Sequence, residues 1–304
     1  MKTTDNKLLM RPLIFGEVLF DHFPDGSAVL GGAPFNVAWH LQAFGLNPMM
    51  ISRIGNDTTG EKIVQAMSEW GMDCSGLQRD DVRPTGSVEV SFNEGEPDYD
   101  IVDHAAYDYI ESALLPELKG AWLLYHGSLA LRHACSADTL QQIKENHALK
   151  TFVDINLRTP WWQQNFMLEL ITGADWLKLN EQELSDIYPT EKEDSLAKVL
   201  NLISEQLILT GGESGATAIP VNNEKKCSVT PQSISTVVDT VGAGDAFCSV
   251  FLAGCLLNWP LEMRMRRAQE FASAIVGIKG ATPQSKDFYQ PFIENWNLEG
   301  QPYV

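Results

Sequence analysis

The feature that most restricts the fold lies late in the chain. Residues 243–258 (AGDAFCSVFLAGCLLN) are apolar nearly all round. A helix without a polar face has to be covered on every side. The stretch is also shorter than the ~20 residues that cross a bilayer, so the cover must come from the rest of the chain. Upstream, that cover shows as an alternation of two patterns. Short apolar runs at 12–20, 49–54, 122–125, 151–155, 176–179 and 206–209 read as buried strands. Helical patterns separate them. Residues 34–44 put Val37, Leu41 and Phe44 on one face, with Pro34 in the first turn and Gly45 at the exit. Residues 59–70 line up Ile63, Met67 and Trp70 before Gly71, and 261–278 read as a further helix. Strands alternating with helices predict an α/β fold, a three-layer α/β/α sandwich around a mostly parallel sheet.

One segment breaks this rhythm. From Ser87 to Phe92 apolar and polar residues alternate, and 93–96 (NEGE) turn the chain into Tyr99-Asp100-Ile101. A half-exposed hairpin is predicted there. With no internal repeat, low-complexity tract or linker, the expectation is a single domain over 1–304, with a small β lid contributed by about 12–25 and 84–105.

Charge limits the partners. Lys and Arg total 22 against 40 Asp and Glu, a net charge of -18. Such a surface repels phosphate backbones and anionic lipid, so neither nucleic acid nor membrane is expected as a partner. A small anion can still be held by backbone amides. The five cysteines (Cys74, Cys135, Cys227, Cys248, Cys255) are scattered, with no CxxC pair, as in a reduced cytoplasmic protein. Arg11-Pro12 interrupts Leu8-Leu9-Met10 too early for a signal peptide, so a cytoplasmic location is expected.

Two stretches carry chemistry. In the first, 237–247 (VVDTVGAGDAF), a predicted strand enters a glycine-rich turn that opens the apolar helix. Amides of Gly242, Ala243 and Gly244 would face an anion at the positive end of the helix. Asp245 beside that anion makes sense as a base for an attacking hydroxyl. The competing explanation is a helix cap. No GxxxxGK[ST] loop occurs, and Phe247 holds the place of the third glycine of a dinucleotide fingerprint. The second stretch is Gly31-Gly32-Ala33-Pro34-Phe35-Asn36, preceded by Asp21. Asn36 donates and accepts, and Asp21 accepts, which is the mixture that polyol recognition needs.

These residues carry a resemblance. The chain resembles the ribokinase (PfkB-type) carbohydrate kinases, in particular their fructokinase-like and ketodeoxygluconate-kinase-like branch. The late signature is matched by 239–245 (DTVGAGD) and the early one by 31–38 (GGAPFNVA). Between them, in family order, stand 54–60 (IGNDTTG), 154–158 (DINLR), 180–183 (NEQE) and 209–212 (LTGG). The resemblance implies a ribokinase-like sandwich with a β lid and an ATP-dependent sugar kinase. It assigns the catalytic base to Asp245 and the anion hole to Gly242, Ala243 and Gly244. It puts Asn180 and Glu183 near hydrated Mg2+, with Glu183 acting through water. Thr210 and Gly212 fall at the nucleotide, together with Gly242 and Gly244. Asp21, Gly31, Gly32 and Asn36 fall on the sugar side. Arg158 matches an arginine that faces phosphate or an anionic substrate. Many members hold a monovalent cation such as K+ near the positions of Asp239 and Val241, and a homodimer through the lid is allowed. Where many members place an asparagine near adenine, this chain has Ser273 or its neighbours.

The opening 16–21 (GEVLFD) and the helix at 31–41 (GGAPFNVAWHL) resemble fructokinases more than ribokinases or nucleoside kinases, so the leading expected substrate is D-fructose, phosphorylated at O6. A 2-keto-3-deoxygluconate kinase is the alternative, with Arg158 or Arg53 to hold the carboxylate, and a non-catalytic sugar-binding protein is a third reading. His104 and Tyr107 follow the hairpin within reach of a sugar, although loop aromatics usually just pack. Trp161-Trp162 is expected in the core.

Overall fold

Side chains along the first strand alternate between two apolar layers: Ile14 enters one, and Leu13 and Phe15 the other. The whole architecture follows from that alternation. In the computed structural model, which describes residues 10–93, 96–222, 224–231 and 237–299, the strands are β1 (Arg11–Phe15), β2 (Leu19–His22), β3 (Ala28–Gly31), β4 (Met49–Gly55), β5 (Leu77–Asp80), β6 (Gly86–Asn93), β7 (Glu96–Ile101), β8 (Trp122–His126), β9 (Leu149–Asp154), β10 (Trp176–Asn180), β11 (Gln206–Thr210), β12 (Ala216–Pro220) and β13 (Cys227–Val229). The helices are α1 (Ala33–Ala43), α2 (Thr58–Trp70), α3 (Ala134–Asn146), α4 (Gln164–Ile171), α5 (Glu181–Ile187), α6 (Lys192–Leu200), α7 (Ala243–Leu256), α8 (Leu261–Val276) and α9 (Gln290–Trp296).

Among the described residues nine strands form one sheet in the order β13-β12-β11-β10-β9-β8-β1-β4-β5. It is parallel from β11 to β5, and β12 and β13 add antiparallel strands at one edge. One face is covered by α1, α2, α7, α8 and α9, and the other by α3 to α6. Helix α7 lies in the first of these layers, buried from Ala246 to Leu256. Small residues let its neighbour come close: a Cβ on Gly254 would lie 2.5 Å from Cγ of Arg264 on α8. The apolar stretch is therefore satisfied by helix-on-helix burial.

A second sheet, β3-β2-β6-β7, stands apart from the first. It rests on its own apolar cluster, which includes Leu19, Val88, Val90, Ile101 and Tyr107. The stretch 54–60 fastens the two parts together. Asp57 caps α2 by accepting from the Gly60 amide at 2.7 Å, and its carboxylate also accepts from the amide and hydroxyl of Thr85, each at 2.8 Å, just before β6. Gly60 is required there, because a Cβ would sit 2.3 Å from the Gly55 carbonyl oxygen.

Two expectations need correction. The run 12–20 is not one strand: it breaks at Gly16, so 12–15 pair in the large sheet and only β2 joins the small one, with β3 beyond the expected limit of 25. Val237 and Val238 are exposed and form no strand; the amides of Val238 and Asp239 both donate to the Val276 carbonyl (3.0 and 3.2 Å). The short β5, β12 and β13 went unread, being too brief or too polar for a periodic signal.

Candidate active site

The site is a cavity of about 570 Å³ between the small sheet and the C-terminal ends of the parallel strands. Open parallel sheets bind ligands at those ends, because the connecting loops and helix N-termini converge there. Of the residues singled out in the sequence, Asp21, Gly32, Asn36, Arg158, Val241, Gly242, Gly244 and Asp245 line it.

At the α7 end, Gly242 is the residue before the helix and takes a left-handed backbone (φ 78°). A Cβ there would meet that of Ala281 at 2.2 Å, so only glycine fits the turn. The Ala243 amide closes onto the Thr240 carbonyl at 3.4 Å. Asp239 braces the same turn, its two carboxylate oxygens accepting from the amides of Val241 and Gly280 at 3.0 Å each. Asp245 sits in the first turn of α7, where Asn36 Nδ2 donates to its Oδ2 at 2.8 Å. Burial pushes the Asp245 carboxyl up to about 6, against the lowering effect of the Asn36 hydrogen bond; nearby Asp154 raises it further, while Lys178 and Arg158 oppose. A carboxylate in that range ionises near neutral pH yet keeps real basicity, as a general base requires.

Beneath this turn lies a pair that the sequence reading did not assign. Lys178 of β10 and Asp154 of β9 are register partners in the sheet, both buried. Lys178 Nζ donates to Asp154 Oδ1 at 2.7 Å, while Tyr125 Oη and Cys248 Sγ both lie 3.3 Å from Oδ2. The neighbouring carboxylates hold the Lys178 ammonium charged despite its burial. A Cβ on Gly244 would lie 3.5 Å from Lys178 Nζ, so the glycine leaves the ammonium close to the turn. The signal was available: a lone lysine in the apolar run 176–179 and a lone aspartate in 151–155 can be buried only as partners.

At the small-sheet end, Asp21 of β2 faces the cavity, and burial raises its carboxyl to about 6. Cβ atoms built on Gly31 would lie 3.7 Å from Asp21 Oδ2 and 3.8 Å from Asn36 Oδ1, which places that glycine between two acceptors. Gly32 (φ 108°) passes so near Glu17 that a Cβ would come within 2.8 Å of its carbonyl oxygen.

Asn180 and Glu183 form a reciprocal cap on α5: Asn180 Oδ1 accepts from the Glu183 amide and Glu183 Oε2 from the Asn180 amide, both at 2.8 Å. Glu183 Oε1 also accepts from the Leu157 amide at 2.9 Å. Each oxygen keeps a lone pair beyond these bonds, so the buried carboxylate fits a role toward a hydrated hard cation. Thr210 ends β11 in register with Asn180, and Gly212 follows with φ 57°. Their neighbours Gly211 and Gly215 line a second cavity of about 330 Å³.

Other candidates lie elsewhere. Arg53 is buried away from the cavity, donating to the Tyr109 carbonyl at 2.7 Å and pairing with Asp80 at 3.0 Å and with Glu111. Tyr107 is buried under the small sheet, and His104 Nδ1 bonds Tyr109 Oη at 2.6 Å. Ser273 is buried on α8. Trp161 and Trp162 pack against the apolar clusters, Trp161 under the Arg132 guanidinium.

A glycine turn at the head of a buried helix, a carboxylate inside it and a polar cavity across from it fit the kinase of small hydroxylated molecules that the resemblance implies. The comparisons give the family. Residues 13–287 match the pfkB family of carbohydrate kinases, and the chain belongs to it. The fructokinase of Klebsiella pneumoniae is 29% identical over 258 residues, covering 79% of this chain and 83% of that one. Fructokinase-2 of Oryza sativa is 27% identical over 302 residues, covering 88% and 89%. The fold is that of the fructokinase of Vibrio cholerae solved with fructose, ADP and a calcium ion: TM-score 0.79 at 24% identity, covering 93% of this chain and 98% of that one. A sugar kinase of Pyrococcus horikoshii in complex with ATP superposes with TM-score 0.76 at 26% identity over 94% and 99%. The protein is thus a fructokinase-like carbohydrate kinase of the ribokinase-like α/β fold. Among the described residues no helix is long and apolar enough to cross a membrane.

Proposed function

We propose that the enzyme transfers the γ-phosphoryl group of ATP to the primary hydroxyl of a small sugar, D-fructose at O6. The observation that carries this reading is Asp245, hydrogen-bonded by Asn36 at the mouth of α7, with its carboxyl held near 6. Asp245 takes the proton of the attacking hydroxyl, and Asn36 both orients that carboxylate and borders the sugar. Asp21 and the backbone of Gly31 and Gly32 complete the sugar side, and Arg158 faces the space between the two ends.

Gly242 and Gly244 form the anion hole, the Ala243 amide being turned to the Thr240 carbonyl, with Lys178 beneath it as fixed positive charge. Thr210 and Gly212 border the nucleotide. Glu183 with Asn180 serves hydrated Mg2+, which when bound neutralises phosphate charge. Asp239 and Val241 suit a monovalent cation, a reading supported by the potassium ion in a fructokinase of the same fold. The small sheet acts as a lid that excludes water from the sugar, and its exposed Val29 and Tyr99 suit a homodimer contact. The five free cysteines suit the cytoplasm. A panel of sugars with ATP and Mg2+, read by ADP release and by the position of phosphate on the product, tests the assignment; turnover of 2-keto-3-deoxygluconate in preference to fructose would replace it.

A further inference from the structure

Glu17 stands in the 16–21 opening (GEVLFD) with no role assigned to it so far, and it lines the cavity. It sits in the break between β1 and β2, 4% exposed. Its Oε2 is buried with no hydrogen-bond partner among the described residues. Asn36 Oδ1 is a second buried acceptor without a partner among those residues, while its Nδ2 is spent on Asp245. Two such atoms in one cavity are costly unless a ligand supplies donors. Burial holds the Glu17 carboxyl up at about 7, and its charged neighbours are Arg158, Asp245 and Arg132.

The charge balance then favours one ligand class. Besides Glu17, the lining carries Asp21, Asp98, Asp154 and Asp245, against Arg158 and Lys178. Lys178 is locked to Asp154. Arg158 already serves Glu17, Asp21 and Asp245 as their nearby positive charge, and Arg53 is spent on Asp80 and Glu111. A ligand carboxylate would bring acceptors to a wall of acceptors and negative charge to an acidic cavity. Hydroxyls bring the missing donors.

We propose that Glu17 is a specificity-determining residue, which accepts a hydrogen bond from a hydroxyl of an uncharged sugar and sets the site against sugar acids. This rests on the sugar-kinase reading and narrows its substrate class. The test compares D-fructose with 2-keto-3-deoxygluconate as acceptors for the wild type and for Glu17→Gln, with folding checked by circular dichroism. The wild type should favour fructose in kcat/KM by at least about 100-fold. Glu17→Gln should raise the fructose KM about tenfold while leaving the KM for ATP within about twofold, and should narrow the preference about tenfold. A variant with unchanged fructose KM and unchanged preference overturns the proposal and leaves the kinase reading intact. A wild type that favours the acid overturns the proposal and the fructose assignment together while leaving a carbohydrate kinase, a measurement that stands even if the variant fails to fold. A wild type that phosphorylates neither compound nor any other sugar removes both.

Discussion

The two ends of the cavity are built from different materials. The α7 end stands on the main core: Phe247, Val250 and Phe251 are buried in the layer that also holds α1 and α8, and the buried Lys178–Asp154 pair beneath the turn is enclosed by β9, β10 and α7. The small-sheet end rests on a cluster of eight buried apolar residues among those described, tied back by Arg132, which grips Asp108 through two bonds (2.7 and 2.8 Å) and the Val102 carbonyl at 2.7 Å. Phosphoryl transfer needs fixed charges and dipoles where the reacting atoms sit. Sugar entry needs a wall that can open. On the proposed reading, the deepest packing goes to the first task and the thinnest to the second.

Removing the base should give the largest effect. Asp245→Asn keeps size, and Asn also caps helices, so the turn should survive. We expect kcat to fall by roughly 10²–10⁴ with ATP binding kept. In the wild type, kcat/KM for the sugar should decline as pH drops through about 6, where Asp245 gains its proton; the residual activity of the variant should lose that limb. Stability should move the other way. The native state binds this proton more tightly than the unfolded chain, so stability falls as pH rises from 3.8 through about 6. At neutral pH the variant should therefore be more stable, on the order of 1–2 kcal/mol by thermal or denaturant unfolding. Near-normal turnover by Asp245→Asn would show the residue to be only a cap.

The buried pair comes next. Lys178→Met leaves Asp154 uncompensated in the core, and unfolding should become easier by about 3–5 kcal/mol. Adding Asp154→Leu should restore most of that stability but not the activity, if Lys178 also serves the phosphates. Recovery of both would make the pair purely structural.

Asn36 bridges the two ends, so its removal tests whether they are separable. Asn36→Ala should weaken sugar binding by about 1–3 kcal/mol, seen as a raised sugar KM. Because the Asn36 hydrogen bond lowers the Asp245 carboxyl, its loss should also move the acid limb to higher pH. An unchanged KM with activity retained would place the sugar in a different pocket.

Much of this was legible in the residues. The parallel sheet follows from short apolar runs separated by helical stripes, and the α7 turn from glycines ahead of an apolar helix. What escaped notice has physical causes. Β-bridging of the short β5, β12 and β13 comes from the neighbouring strands, not from their own pattern. The break at Gly16, which sends β2 into another sheet, looks like continuous apolar chain from 12 to 20. Asp154 and Lys178 lie 24 residues apart, and only the register of β9 against β10 makes them partners. Glu17 was in view beside Asp21, but its lack of a partner is a property of the folded cavity.

The smallest expected effect concerns motion, and it tests the comparison of the two ends most directly. In native-state hydrogen exchange, amides in the β6–β7 pairing should open at a lower free energy than those of β8 and β9, because the small sheet has one thin apolar layer beneath it and the central strands are covered on both faces. Val90→Ala, in the small core, should lower protection within β6 and β7 and leave β8 and β9 nearly unchanged. Saturating sugar should slow exchange in the small sheet, since closing over a ligand adds contacts that the open wall lacks. Equal protection in both sheets, lost together on the same substitution, would mean that the molecule opens as one cooperative unit and that the small sheet does not act as a lid.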